Sequence, residues 1–270
     1  MTVHPRVCVS AISSFRQDLA ADLDLWSRHG IDCVGVSVAK LDAFGWEEGI
    51  ARIVDSGVRV ANLIGVGAFL LADPSQWDAQ RERLLRALRA GQTIGAECVV
   101  FTTGPAAALP WDEAADALET ALAPVLVEAG ALGIPFAVEH TNSLRVDVGF
   151  VHSLHDVVDL SRRMGTGVCM EINACWAERG LAETIVDAMD VIRLVQVSDY
   201  AIGTLGTPDR LVPGDGDIPL TRILGQVLAA GYDGVFDLEL IGPRIEDEGY
   251  ESAVPRAVAA LGSLLAGLGA

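Results

Sequence analysis

Short apolar runs alternate with longer amphipathic stretches along the whole chain. The short runs are rich in valine, isoleucine and cysteine, a composition typical of strands buried on both faces. Each is bounded by glycine, proline or polar residues, which end strands. We predict eight strands: Val7–Ser10, Cys33–Ser37, Val58–Ile64, Cys98–Thr102, Pro135–His140, Val168–Asn173, Ile192–Ser198 and Val235–Leu240.

The stretches between these runs have the period of amphipathic helices. Trp77–Ile94 places apolar residues such as Leu84 and Leu88 on one face and arginines on the other. Trp111–Leu132 begins directly after Pro110 and carries acidic residues in its first turn, which favours a helix start. The segment Ala253–Ala270 is predicted to form a last helix that covers the sheet.

Glycines precede most of the predicted strands by a few residues, as expected where a helix ends and a strand follows. They are Gly30, Gly57, Gly95, Gly133, Gly165 and Gly231. Strict alternation of strand and helix favours a parallel sheet. The chain has 270 residues, near the roughly 250 of a (β/α)8 barrel. We therefore predict an α/β fold, a single (β/α)8 TIM barrel domain over residues 1–270.

An open, doubly wound sheet is the main alternative to the barrel. Such a sheet often binds a dinucleotide at a glycine-rich turn, and Gly65–Phe69 (GVGAF) is the one candidate for that turn. It lacks the third glycine and the acidic residue about 20 positions later that the motif requires. Eight units in a chain of this length also fit a closed barrel better.

Composition narrows the classes of partner. Hydrophobic residues make up 51% of the chain, but no apolar run is long enough for a membrane span. The segment MTVHPRVCVS lacks the apolar stretch of a secretory signal, so we expect a cytoplasmic protein. A net charge of −18 argues against nucleic-acid binding. We expect the protein to bind a small-molecule substrate and to bind neither nucleic acid nor a membrane. Assembly into a homo-oligomer is possible.

Cysteine spacing gives no sign of a metal site. The five cysteines include no CxxC pair, and four of them lie within predicted strands as small buried hydrophobic residues. Cys175 lies just beyond a strand near the expected site, and burial is its simpler explanation.

Side-chain alternation along the last four strands places polar residues inside the barrel. Alternate strand residues face the barrel axis, and sites of such barrels form at the carboxyl ends of the strands. In each of these strands an apolar face points to the helices, and the inward set then ends in an oxygen-bearing side chain. The inward residues are Ala137 and Glu139, Cys169 and Glu171, Leu194 and Gln196, and Asp237 and Glu239.

Three carboxylates at one barrel mouth would repel each other unless a positive charge lay between them. A hard divalent cation such as Mg²⁺, Mn²⁺ or Ca²⁺ accepts such an all-oxygen ligand set. The alternative is that each carboxylate pairs separately with an arginine or a backbone amide.

Five segments resemble motifs of the sugar phosphate isomerase/epimerase family, the xylose isomerase-like TIM barrels. The resemblance runs through nearly the whole chain and is most specific in VEHTN, CMEIN, VQVSD, RLVPGDGDIPL and DLEL. It implies a divalent metal held by Glu139, Glu171, Gln196 and Glu239. It further implies that Glu139 and Glu239 move a proton through an enediolate, while the metal polarises the substrate oxygens.

The sequence departs from this family pattern at two positions. Gln196 stands where a histidine ligand is usual, and Ala174 stands where a second histidine is common. A glutamine can still ligate through its amide oxygen, but it is neutral. A set of three glutamates and a glutamine should favour Mn²⁺ or Mg²⁺ over Zn²⁺. The shortage of histidines also argues against the family members that cleave DNA at abasic sites with a zinc cluster.

Several further residues are candidates for substrate binding. Arg210 is the best anchor for an anionic group, with a surface ion pair to Asp209 or Asp215 as the alternative. The other candidates each have a structural alternative, as an outward-facing residue, a turn residue or a barrel cap. They are His140, Asn142, Asn173 and Trp176.

The combined expectation is a metal-dependent isomerase or epimerase acting on a sugar-like hydroxy-carbonyl compound. A lyase on the same scaffold is the first alternative, because dehydration also begins with removal of an α-proton. A barrel that binds without catalysis is the second, motivated by the missing histidine ligand.

Overall fold

A computed structural model describes residues 2–67 and 69–270. Met1 and Ala68, which belong to the N-terminal and Gly65–Phe69 segments considered above, lie outside the described residues. Eight parallel strands follow each other around a closed barrel in chain order, and β1 pairs with β8. The strands are β1 Val7–Ser10, β2 Cys33–Ser37, β3 Arg59–Val66, β4 Cys98–Thr102, β5 Phe136–Glu139, β6 Gly167–Glu171, β7 Ile192–Val197 and β8 Phe236–Leu238. The predicted (β/α)8 barrel is confirmed, and the open sheet is excluded.

Helices connect the strands and surround the barrel. They are α1 Leu19–His29, α2 Val38–Phe44, α3 Trp46–Ser56, α4 Trp77–Ile94, α5 Trp111–Leu132, α6 Leu154–Met164, α7 Ile172–Cys175, α8 Leu181–Asp187, α9 Leu220–Ala229, α10 Pro243–Glu248 and α11 Tyr250–Gly267. A 3₁₀ turn at Ala11–Ser14 follows β1. Within the described ranges, no helix is both long and apolar enough to cross a membrane.

The core has two layers. A small inner cluster fills the barrel and includes Ala137, Cys169 and Leu194, which confirms the predicted inward set of these strands. A larger outer cluster lies between the sheet and the helices. The five cysteines are free and buried, as expected for small hydrophobic residues.

The predicted end of β6 was wrong. The strand stops at Glu171, and Ile172–Cys175 turns into the short helix α7. The Glu171 carboxylate accepts a hydrogen bond from the backbone N–H of Asn173 at 2.8 Å and so caps this helix. The apolar pattern could not reveal this cap, because Ile172 would be buried in a continued strand as it is in the helix.

Candidate active site

Three glutamates meet at the carboxyl ends of the strands. Glu139 is the last residue of β5, Glu171 is the last of β6, and Glu239 directly follows β8. One carboxylate oxygen from each lies within 4.8 Å of the others, an arrangement that could hold a metal ion. The convergence expected from strand alternation is therefore present.

Burial and repulsion between neighbouring carboxylates make Glu139 and Glu171 difficult to ionise. Part of the Glu139 side chain faces the cavity, and the barrel surrounds the rest. This burial, together with the negative charges of Glu239 and Glu171, raises the pKa of Glu139 well above the usual range. Burial also raises the pKa of Glu171 to about 7, against the attraction of Arg210. The cluster would therefore gain from a further positive charge.

Arg210 supplies part of that charge. Its Nη1 lies 2.7 Å from Glu171 Oε2 and 3.0 Å from Glu239 Oε2. The Nη1 group donates its hydrogen bond to the Glu239 carbonyl oxygen at 3.0 Å. Apart from this contact with Arg210, neither carboxylate oxygen has a hydrogen-bond partner among the described residues. Arg210 therefore neutralises charge but leaves these oxygens able to accept a ligand.

The loop after β7 carries Arg210 back over the mouth, and Asp199 organises it. Asp199 Oδ1 accepts hydrogen bonds from the N–H groups of Tyr200 and Ile218, and Oδ2 accepts from Gly214. Asp199 and Leu211 also exchange two backbone hydrogen bonds. The two surface aspartates considered as partners of Arg210 bind other arginines, Asp209 binding Arg244 and Asp215 binding Arg256.

Gln196 lies on β7 inside the barrel and is not among the residues that line the cavity described below. It pairs in register with Glu171 on one side and Asp237 on the other. The side chain is fully buried, and neither its Nε2 nor its Oε1 has a hydrogen-bond partner in the described part of the chain. A buried amide rarely stays unpaired, so the donor set fits a cation or water that completes it.

A second polar pair below the mouth was missed by sequence reasoning. Asn62 Nδ2 donates to Asp237 Oδ2 at 2.9 Å, and both residues are fully buried. Burial raises the pKa of Asp237 to about 7, although the contacts with Cys8 and Asn62 oppose that rise. The sequence did offer one sign of this pair. Asn62 is an amide within the otherwise apolar run of β3, and such a residue is expected to make a polar contact inside the barrel.

His140 supports Glu171. Its Nε2 accepts a hydrogen bond from the Glu171 backbone N–H at 3.2 Å, and burial, with a smaller effect of His152, lowers its pKa to about 3. The imidazole is therefore neutral at physiological pH. It also lines the cavity described below, so a contact with substrate stays a prediction.

The remaining predicted residues divide into two groups. Asn142 and Asn173 line the cavity, although Asn142 also accepts from the Leu144 N–H in a turn. Trp176 packs against the outer hydrophobic core and is not among the residues around the cavity. Its role in substrate binding stays a prediction.

A cavity of about 340 Å³ opens above the carboxylates. Glu139, Glu171, Arg210 and Glu239 line one part of it, and apolar residues together with further polar side chains such as Arg145 line the rest. Its size suits a small ligand.

The family assignment rests on a match over most of the chain. A family model described as the xylose isomerase-like TIM barrel matches residues 23–261. The chain belongs to this family. The resemblance noted in the five sequence segments is thereby confirmed.

Solved structures share the xylose isomerase-like fold over nearly their whole length. Protein SMc04130 from Sinorhizobium meliloti 1021 is 23% identical, with a TM-score of 0.86 and 98% of each chain covered. An IolI protein with a bound zinc atom is 17% identical, with a TM-score of 0.85 and coverage of 97% of this chain and 99% of that one. The 3-keto-D-glucoside 4-epimerase YcjR from E. coli is also 17% identical, with a TM-score of 0.74 and the same coverage.

These likenesses establish the fold of the chain, since all three identities are low. No curated protein is similar enough in sequence to count as a match. The family description names a xylose isomerase-like barrel and does not specify the reaction of this chain. The individual reaction has to be argued from the site itself.

Proposed function

We propose that the protein is a divalent-metal-dependent isomerase or epimerase that acts on a hydroxy-carbonyl compound through an enediolate. The observation that supports the proposal most directly is the approach of three glutamate oxygens within 4.8 Å at the barrel mouth. Carboxylates this close bind a hard cation well and leave room for substrate oxygens beside it.

Glu139, Glu171 and Glu239 would hold the metal, with the amide oxygen of Gln196 as a fourth ligand. When bound, the ion supplies a Lewis acid that polarises the substrate carbonyl. The all-oxygen donor set favours Mn²⁺ or Mg²⁺. An IolI protein of the same fold has a bound zinc atom, which supports a divalent ion in this chain.

Glu139 and Glu239 would serve as the acid/base pair. One carboxylate takes the proton from the carbon next to the carbonyl, and the other returns a proton to the opposite face or to the neighbouring carbon. The raised pKa of Glu139 suits this role, because it makes the carboxylate a stronger base toward the α-proton. Arg210 is partly exposed to the cavity and would hold a substrate oxygen or anionic group.

The test is to replace each member of the pair with its amide. We expect Glu139→Gln and Glu239→Gln each to abolish exchange of the substrate α-proton with deuterium from solvent, while circular dichroism shows an intact fold. Glu183→Gln, at an exposed position on α8, is the matched control and should exchange normally. Normal exchange in either active-site variant would remove the proposed roles.

A lyase on the same scaffold is the second candidate, favoured by the position of Ala174. This residue lines the cavity where a second histidine is common in the family, so the site has lost an acid/base group and gained space. Product mass separates the two reactions, because isomerisation conserves mass and dehydration removes one water.

A non-catalytic binding barrel is the third candidate, and the contacts of Arg210 favour it. A guanidinium beside Glu171 and Glu239 neutralises these carboxylates without any ion. Metal analysis of the purified protein, with thermal unfolding in the presence of Mn²⁺, tests this candidate. Bound metal or a rise in Tm would argue against it.

A further inference from the structure

The cavity has two chemically different halves. The half built on β5 to β8 carries the three glutamates and Arg210, and its other polar side chains include Asn142, Arg145 and Asn173. The half built on β1 to β4 is lined by Ile12, Phe15, Ile64 and Val100 among other apolar residues. Ile64 and Val100 belong to the inner barrel cluster, and Ile12 packs against it.

Polar side chains are scarce on the apolar half. Among the described residues that line it, Thr102 carries the one side-chain hydroxyl, and it pairs in register with Glu139 at the border of the acidic half. At the rim, Phe15 leaves 54% of its surface exposed, although a large aromatic side chain gains by covering apolar surface. A bound molecule with an apolar body would cover both Phe15 and the wall below it.

We propose that the substrate is an α-hydroxyketone with an apolar alkyl or carbocyclic body, and not a polyhydroxylated sugar. The inference rests on the proposed function for the placement of the two reacting oxygens against the glutamates and Arg210. The rest of the molecule then lies against Ile12, Phe15, Ile64 and Val100. Each further hydroxyl placed there without a partner should weaken binding by about tenfold to a hundredfold.

Two matched pairs of compounds test the inference on the wild-type protein loaded with Mn²⁺. The first pair is 2-hydroxycyclohexanone and pentahydroxycyclohexanone, and the second is 1-hydroxybutan-2-one and 1,3,4-trihydroxybutan-2-one. Within each pair the reacting group is the same and the body differs in its hydroxyl groups. Calorimetric titration should show at least about tenfold tighter binding of the less hydroxylated member.

Variants of the apolar wall show whether the preference comes from this surface. Val100→Thr adds a hydroxyl at nearly constant shape and should reduce the preference in both pairs. Val99→Thr is the control, because Val99 is equally buried on the same strand but belongs to the outer core. If Val100→Thr does not fold, Phe15→Ala at the exposed rim should weaken binding of the apolar members severalfold and leave the hydroxylated members unchanged.

Binding and exchange separate the two proposals. Tighter binding of the apolar members without α-proton exchange would support the inference and argue against the proposed reaction. Exchange with tighter or equal binding of the hydroxylated members would support the reaction and overturn the inference. Absence of binding for both members of both pairs at tens of millimolar would also overturn it.

Discussion

At the residue scale, Arg210 and a metal ion would share the same oxygens. The Nη1 group of Arg210 contacts Glu171 Oε2 and Glu239 Oε2, and both oxygens otherwise lack hydrogen-bond partners in the described ranges. Burial opposes the charge of Arg210, but the surrounding carboxylates outweigh it and raise its pKa, so it stays charged. A cation in this site would bind beside a fixed positive group, which should reduce its affinity.

Gln196 provides a direct test of the fourth ligand. We expect Gln196→His to raise the affinity for Zn²⁺ more than for Mn²⁺, because an imidazole nitrogen suits zinc better than an amide oxygen does. Gln196→Leu should weaken binding of both ions, since it removes the amide oxygen at similar volume. Calorimetric titration of the metal-free proteins measures these affinities.

The affinity order of these variants decides the role of Gln196. If Gln196→Leu bound Mn²⁺ as tightly as the wild type, Gln196 would not be a ligand, and its unpaired amide would need a buried water instead. Circular dichroism of each variant serves as the folding control, because the residue is fully buried.

Residue-level prediction from the sequence succeeded where a strand fixes the side-chain direction. The period of two along β5, β6 and β8 determined that Glu139, Glu171 and Glu239 converge. The contact of Arg210 with two of them could not be foreseen, because it depends on the path of a loop. That path is set by hydrogen bonds of Asp199 to residues far along the chain.

At the element scale, the turn after β1 joins the mouth to two helices and to the last strand. Ser13 Oγ donates to the Leu238 carbonyl and accepts from the Leu240 N–H. Ser14 Oγ donates to Asp22 Oδ1 on α1 at 2.6 Å. Lys40 on α2 binds the same carboxylate at 2.7 and 2.9 Å. The turn also carries Ile12, so this buried cluster helps to hold the apolar wall of the cavity.

Breaking the Lys40–Asp22 pair should be costly. Lys40→Met leaves a fully buried carboxylate without its cation, and we expect a loss of about 3 kcal/mol in the free energy of unfolding at pH 8. Burial already raises the pKa of Asp22 to about 6 with Lys40 present. The loss should therefore shrink at pH 5, where the carboxyl group takes up a proton. Urea unfolding at the two pH values measures it.

The double variant Asp22→Leu/Lys40→Met is the control for this prediction. Removing both charges leaves no uncompensated ion, so most of the lost stability should return. A double variant as unstable as Lys40→Met alone would mean that lost packing, and not an unpaired charge, causes the effect.

The bounds of helices were predictable where the amphipathic pattern and a helix-ending residue indicate the same position. The helices α4 and α5 have the predicted bounds, since each has a long amphipathic pattern and ends at a glycine in the left-handed conformation, Gly95 and Gly133. Bounds of strands near the mouth were less accurate. There, polar side chains bind the backbone and stop a strand, as Glu171 does at the end of β6.

At the scale of the whole molecule, acidic groups dominate both the surface and the barrel interior. The net charge is −18, so mutual repulsion in the folded state grows as the pH rises. The buried carboxyl groups act in the same direction. Burial raises the pKa values of Glu171 and Asp237 to about 7, and that of Glu139 well above its usual range.

These raised pKa values predict that the metal-free protein loses stability between pH 5 and pH 8. The folded state holds protons that the unfolded chain releases near pH 4, so this contribution is complete below about pH 4 and is lost as the pH rises through about 7. We expect the free energy of unfolding to fall by at least about 2 kcal/mol between pH 5.5 and pH 8 in the presence of EDTA. Urea unfolding at constant ionic strength measures the change.

Two further measurements test whether this pH dependence of stability comes from the buried carboxyl groups of the barrel. Asp237→Asn keeps the acceptor for Asn62 but cannot ionise, so it should flatten the pH dependence, whereas Asp55→Asn on the exposed surface of α3 should not. Saturating Mn²⁺ should also reduce the loss, because a cation stabilises the ionised glutamates that high pH produces. If stability rose with pH in EDTA, the buried carboxyl groups would have to be ionised and well paired without metal. The site would then be an internal ion-pair cluster around Arg210, and the case for a catalytic metal would fail.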